Sequence, residues 1–288
     1  MVTLPEGRIL GYREFGDPAG VPVIALHGTP GSRLKFADCN EVAARLGLRL
    51  ISVDRWGYGL TSLPPPGATL AGFGADMVVL ADALGIGRCL VTGVSGGGPF
   101  AVAAAAALGA RVIATGLVSP IGVIDRETKL SAFHGACFRV MPYFPGTIGA
   151  LFQLYRIGLH IAPNAAMRLA LSLAPKVDQQ AIADDGIRKR LIATFAGGLA
   201  GGVKGPVCDL ALFVAPWNFD PGAITAPLRI WIGSADRNVP QDGVRRLAAA
   251  LSTSELVTLP GEGHLWIARH GDDVMSWLAG QATGIRSK

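Results

Sequence analysis

The spacing best suited to chemistry in this 288-residue chain is Gly93-Val94-Ser95-Gly96-Gly97, a G-x-S-x-G pentapeptide. With 12 serines and 39 glycines in the chain, chance would supply about 0.2 such matches. Its surroundings add weight. A continuous apolar run, 89–94, precedes Ser95, and an Ala-rich helical stretch follows from Pro99. Ser95 is therefore expected on a strand-to-helix turn, where a nucleophile elbow belongs. The residues two before and two after approach the serine backbone closely. Gly93 and Gly97 omit the Cβ atoms that would clash there. The N-terminus of the next helix favours negative charge developing beside it.

A serine hydroxyl is a weak nucleophile without a base. Of the five histidines, His27, His134, His160, His264 and His270, His264 follows the last β-type run in Gly261-Glu262-Gly263-His264 and can reach the elbow. His27 ends a strand and reads as a structural hydrogen-bonding residue. His134 and His160 fall in a long insertion, and His270 falls on a helix. The base needs an orienting carboxylate. Asp236, just past the run at 228–232, supplies it, in the order Ser95, Asp236, His264. Asp125, after the preceding run, is the rival acid.

The elements that must hold these groups are legible as alternating patterns. Apolar runs at 23–27, 50–53, 89–94, 112–118, 228–232 and 255–259 lack polar alternation, as strands buried on both faces do. Helical stretches at 38–46, 68–84, 99–108, 244–251 and 265–278 separate them, with Gly47, Gly85 and Gly109 at the expected C-caps. The alternation predicts an α/β fold with a parallel sheet. The first 15 residues read as a hairpin pairing antiparallel at its edge. Ligands of such sheets bind at the carboxyl ends of the strands. Residues 119–226 break the alternation with amphipathic helical sequence punctuated by Pro142, Pro145, Pro163 and Pro175, which suggests a lid.

Composition excludes other classes. Half the residues are hydrophobic and 16% charged, with a net charge of +5, which fits neither disorder nor a coiled coil. The basic residues are scattered, so no nucleic-acid interface is expected. The uncharged stretch 90–110 carries Pro99 and many Gly and Ala residues, and reads as strand, turn and helix rather than a membrane span. Cys39, Cys89, Cys137 and Cys208 form no CxxC pair and read as packed, reduced thiols. The N-terminus lacks an apolar signal core, which makes a cytoplasmic location the expectation.

These motifs together resemble the α/β-hydrolase superfamily in its capped, single-domain form. The resemblance rests on His27-Gly28-Thr29-Pro30-Gly31, on Asp54-Arg55-Trp56-Gly57-Tyr58-Gly59-Leu60-Thr61-Ser62, on the elbow, on Gly233-Ser234-Ala235-Asp236-Arg237-Asn238-Val239-Pro240 and on the His264 loop. It implies a mostly parallel eight-stranded sheet with helices on both faces. The core would comprise 1–120 and 222–288, with an inserted helical cap at 121–221. It also implies an oxyanion hole from the backbone N–H groups of Thr29 and Gly96, and a structural turn shaped by Gly57 and Gly59. Ser at position 95 disfavours epoxide hydrolases and haloalkane dehalogenases, which use an Asp nucleophile. Proline iminopeptidases resemble the chain at two motifs but need cap carboxylates. Meta-cleavage C–C hydrolases and cofactor-free haloperoxidases share the same triad.

The resulting expectation is a serine esterase that needs no metal or organic cofactor. Its partner is a small apolar acyl or aryl ester, and a homodimer stays open. Phe133, Met141, Phe144 and Trp217 of the aromatic-rich cap are expected to touch substrate. The rival from another class is a hydrolase-fold protein that binds a small ligand without turnover.

Overall fold

The computed structural model describes residues 1–286. Seven strands form the main sheet: β3 (Tyr12–Gly16), β4 (Val21–Leu26), β5 (Leu48–Val53), β6 (Cys89–Val94), β7 (Val112–Val118), β8 (Leu228–Gly233) and β9 (Ser254–Leu259). Their order is β3-β5-β4-β6-β7-β8-β9. Only β3 runs antiparallel, against β5, and the remaining neighbours are parallel. Two further short strands, β1 (Val2–Thr3) and β2 (Ile9–Leu10), pair with each other alone. The expected eight-stranded sheet is thus a seven-stranded sheet plus a separate ribbon. The break falls at Gly11, whose N–H donates to Thr61 Oγ1 at 2.9 Å instead of to a strand, so β2 leaves the line that β3 follows.

Both sheet faces are apolar because alternate residues of each strand feed different cores. In β4, Ile24 and Leu26 face α2 (Leu70–Ala83), α3 (Gly97–Leu108) and α10 (Gln241–Ala250). Val23 and Ala25 face α1 (Asn40–Arg45) and α11 (Ile267–Arg286). Thr69 caps α2, its Oγ1 accepting from Gly72 N–H at 3.0 Å. The uncharged stretch resolves, as expected, into β6, a turn and α3. Among the described residues no helix is long and apolar enough to cross a membrane.

Between β7 and β8 stand α4 (Ala132–Gly135), α5 (Pro145–Ile161), α6 (Pro163–Ala170), α7 (Lys176–Ala181), α8 (Asp185–Gly198) and α9 (Lys204–Val214). Their own apolar cluster is small, built on Met167, Ile182, Ile187 and Leu191. The layer is held to the sheet by Phe138, Leu212 and Phe213, which join the main core cluster, and by polar ties. Gly59 N–H donates to Gly198 O at 3.1 Å. A fully buried ion pair joins Arg55 Nη1 to Asp209 Oδ1 at 2.6 Å. Asp178 of α7 accepts from the backbone N–H groups of His264, at 3.0 Å, and Leu265, at 2.8 Å.

Candidate active site

Ser95 sits between β6 and α3 with φ at +55°, a left-handed conformation that costs energy for a residue with a side chain. The close approaches around it explain the flanking glycines. A Cβ on Gly93 would lie 2.5 Å from Gly97 O, and one on Gly97 would lie 2.5 Å from His27 O. Ser95 N–H donates to Val118 O at 2.8 Å, and Ser95 O accepts from Gly98 and Ile121. The turn is thereby bolted to its neighbours, and Ser95 is 8% exposed.

The structure brings Ser95, His264 and Asp236 into one line. His264 Nε2 lies 3.0 Å from Ser95 Oγ, and Nδ1 lies 2.8 Å from Asp236 Oδ2. An ionised Asp236 only accepts, so Nδ1 carries the imidazole proton and Nε2 is left to accept from the serine. Asp236 Oδ1 accepts from the N–H groups of Asn238, at 2.8 Å, and Val239, at 3.3 Å. Burial raises the Asp236 pKa, but the charge and hydrogen bond of His264 outweigh it, and the carboxyl titrates below its ordinary value. For His264, burial opposes the charged form. The charge and hydrogen bond of Asp236 prevail, with Asp178 adding to them, so the imidazole titrates above its ordinary value.

Thr29 and Gly96 line the same cavity as Ser95. Among the described residues, the N–H groups of Thr29 and Gly96 have no protein acceptor. Thr29 is fixed through its side chain: Oγ1 donates to Asp209 Oδ2 at 2.6 Å and accepts from Arg55 Nη2 at 2.9 Å. Tyr58 OH donates to the same Asp209 oxygen at 2.6 Å. Arg55 also donates to the carbonyls of His27, at 3.1 Å, and Gly28, at 3.0 Å, and its guanidinium lies 4.4 Å from the Phe100 ring centre. His27, fully buried, accepts from Arg55 N–H at Nε2, 3.0 Å away. Burial, and then the Arg55 charge, hold its pKa well below the usual histidine range. His27 is structural, as its sequence position implies.

Two lobes open on either side of Ser95. The larger, about 380 Å³, is walled by Ile121, Phe138, Met141, Leu210 and Phe213, with Phe133 among its lining residues. The smaller, about 270 Å³, is walled by Lys35, Met167, Leu191, Thr194 and Phe195. Phe152, Tyr155 and Asn238 border both. Of the residues expected to touch substrate, Phe133 and Met141 line the larger lobe, and Phe144 and Trp217 line neither lobe. Phe144 is 57% exposed at the start of α5, and Trp217 stacks near Phe219 beside a separate surface cleft. Aromatic character marked both residues, but apolar side chains also cover the outside of a helical layer. Asp125 is remote from the line as well, with Oδ2 bonded to Arg246 Nη2 at 2.5 Å on the surface. His160 is exposed, His270 lies near Glu262 and Asp273, and His134 Nε2 lies 3.3 Å from Asn238 O.

Sequence reasoning missed Lys35, Thr194 and the clamping roles of Asp178 and Asp209. None lies in a motif. For Asp178 and Asp209 the signal was an acid inside a largely helical, apolar insertion.

Residues 23–277 match the model described as the alpha/beta hydrolase family. A Synechocystis protein bearing a provisional name as a non-heme chloroperoxidase is 24% identical over 272 residues, 91% of each chain. A carboxylesterase structure from the thaumarchaeon Nitrososphaera gargenis matches with a TM-score of 0.71 at 20% identity, covering 99% of both chains. An enol-lactonase from Burkholderia xenovorans LB400 matches with a TM-score of 0.68 at 19% identity, over 96% of this chain and 98% of that one. At these identities the structural likenesses show the fold alone.

Proposed function

The chain belongs to the alpha/beta hydrolase family, and from that premise we propose that it hydrolyses carboxylic esters through an acyl-enzyme on Ser95. The observation that carries this reading is the unbroken line from Ser95 Oγ through His264 to Asp236, in a cavity also lined by Thr29 and Gly96, whose N–H groups have no protein acceptor among the described residues. Ser95 Oγ attacks the ester carbonyl carbon and its proton passes to His264 Nε2. The N–H groups of Thr29 and Gly96 stabilise the oxyanion. Asp236 stabilises the imidazolium. The tetrahedral intermediate then collapses, and the leaving alkoxide takes the proton from Nε2. Water enters, gives a proton to Nε2 and attacks the acyl carbon. Collapse returns that proton to Ser95 and frees the acid. In this reading 121–221 is a cap over a core of 1–120 and 222–288, and the two lobes hold the two arms of the ester.

The cap acids favour an ester over a peptide amino terminus. Asp178 and Asp209 are taken up by backbone N–H groups and by Arg55, Thr29 and Tyr58. Asp125 and Glu127 pair with Arg246, and among the described residues no carboxylate lines either lobe. A substrate ammonium would find no partner there.

The test is labelling by a fluorophosphonate together with turnover of p-nitrophenyl butyrate against proline p-nitroanilide. Labelling and ester turnover that both vanish in Ser95→Ala are expected. Labelling elsewhere, or anilide turnover exceeding that of the ester, overturns the reading.

A further inference from the structure

We propose that the smaller lobe beside Ser95 is an anion subsite, in which Lys35 receives a carboxylate carried by one arm of the ester while the other, apolar arm fills the larger lobe. The proposal rests on the serine-esterase reading and narrows its substrate class to esters of mixed character, one arm anionic and one apolar.

Lys35 shares the smaller lobe with Ser95 and His264. It brings the one fixed charge among that lobe's described lining residues. The rest of the wall is predominantly apolar, including Met167, Leu191 and Phe195. Among the described residues the Lys35 ammonium makes no hydrogen bond and no ion pair. The nearest acid in sequence, Asp38, is engaged elsewhere, its Oδ2 lying 2.6 Å from Arg190 Nε. The neighbouring thiol, Cys39, is pushed up to about 11 by burial and is neutral around pH 7. Burial holds the Lys35 ammonium below its ordinary pKa, while Asp38 and Cys39 oppose that shift and Arg190 adds to it.

The local backbone explains why this residue turns inward. Lys35 N–H donates to Ser32 O at 3.0 Å, closing a tight turn. In that turn Phe36 enters the core, and Arg33 is held by Asp54 at 2.7 Å. The lobe's other wall adds Thr194, which is 4% exposed and whose hydroxyl has no protein partner among the described residues.

A half-buried ammonium beside largely apolar walls, with no ion-pair partner among the described residues, is poorly compensated. A carboxylate entering the lobe restores the missing interaction, and a charge-assisted bond there is stronger than a neutral one. The larger lobe has the opposite character. Its lining includes Ile121, Phe138, Met141 and Phe213, and burial lowers the pKa of its histidine, His134, so it offers an anion no fixed charge.

Two isosteric pairs test the proposal, one for each arm. The acyl pair is the p-nitrophenyl monoester of glutaric acid against p-nitrophenyl 5-methylhexanoate. The alcohol pair is 4-(2-carboxyethyl)phenyl butyrate against 4-(3-methylbutyl)phenyl butyrate. In one pair the wild-type protein is expected to favour the carboxylate by about 10- to 100-fold in kcat/KM. Lys35→Met should bring that ratio to about one or below, and Lys35→Arg should keep it. The ratio is taken within each variant, so a general loss of folded protein cancels. A wild-type ratio of one or less in both pairs, or a preference that survives Lys35→Met, overturns the proposal.

Calorimetry reads the subsite without turnover. Ser95→Ala should bind monomethyl glutarate at least about tenfold more tightly than Ser95→Ala/Lys35→Met, and equal affinities overturn the proposal. Fluorophosphonate labelling of the wild type reports separately on the serine-esterase reading. A protein that is labelled yet indifferent to charge fails only here.

Discussion

At the residue scale, the proposed ester hydrolysis depends on three side chains whose contacts set their protonation. Ser95→Ala removes the oxygen placed 3.0 Å from His264 Nε2. The expected loss in kcat is on the order of 10⁶-fold, with the fold intact; ester turnover and circular dichroism check it. Asp236→Asn should cost about 10⁴-fold, because the amide favours the wrong imidazole tautomer. It also removes the main interaction raising the His264 pKa. In the parent protein kcat/KM should fall as pH drops through a midpoint above the ordinary histidine value of about 6.5, since only the neutral imidazole accepts the Ser95 proton. In Asp236→Asn the residual activity should show that limb displaced to lower pH. Asp125→Asn should leave both rate and limb nearly unchanged, because Asp125 is bonded to Arg246 on the surface. A pH–rate profile of each variant decides between the two acids.

At the element scale, two helices of the inserted layer hold two loops of the site. Through Asp209, α9 fixes Arg55, Thr29 and Tyr58, and so fixes the loop that carries the Thr29 N–H. Removing one partner of a buried ion pair leaves the other charge uncompensated. Asp209→Ala should therefore destabilise the protein by about 3–5 kcal/mol, read as a lowered denaturation midpoint. Its kcat should fall further than its KM rises, since displacing the proposed oxyanion donor would weaken only the transition state. Through Asp178, α7 holds the His264 loop. Asp178→Ala removes two backbone hydrogen bonds and a carboxylate that helps raise the His264 pKa. Its acidic limb should move to lower pH, by less than in Asp236→Asn. A purely structural role for Asp178 would lower activity without moving the limb.

At the scale of the whole molecule, the layer between β7 and β8 walls two partly open lobes beside Ser95. Burial of each methylene is worth about 0.8 kcal/mol, or roughly fourfold. Lengthening the arm seated in the larger lobe should raise kcat/KM by up to that factor per methylene until the 380 Å³ are filled. Met141→Ala should shift the break to longer chains and change KM more than kcat, because Met141 is an apolar wall residue of the lobe. A series of p-nitrophenyl and alkyl esters measures the break on each arm. An unmoved break would place the substrate elsewhere.

The parallel core and the line of Ser95, His264 and Asp236 were legible in the sequence because local rules write them. A strand buried on both faces needs a continuous apolar run, and an elbow needs glycine two residues to each side. A loop just past a strand end already lies at the reactive edge of the sheet. The N-terminal ribbon was only partly legible, since the hydrogen bond of Gly11 to Thr61 joins residues 50 apart. The lobes were least legible. Phe144 and Phe152 are alike in sequence, yet only Phe152 lines the cavity, because the packing of α5, and not aromatic character, selects the inward face. Lys35, Asp178 and Asp209 carry no motif. Their roles arise only when the chain folds back over separations such as the 154 residues between Arg55 and Asp209. Burial then makes each unmatched charge costly, so its partner, or the absence of one, acquires meaning that tertiary structure alone decides.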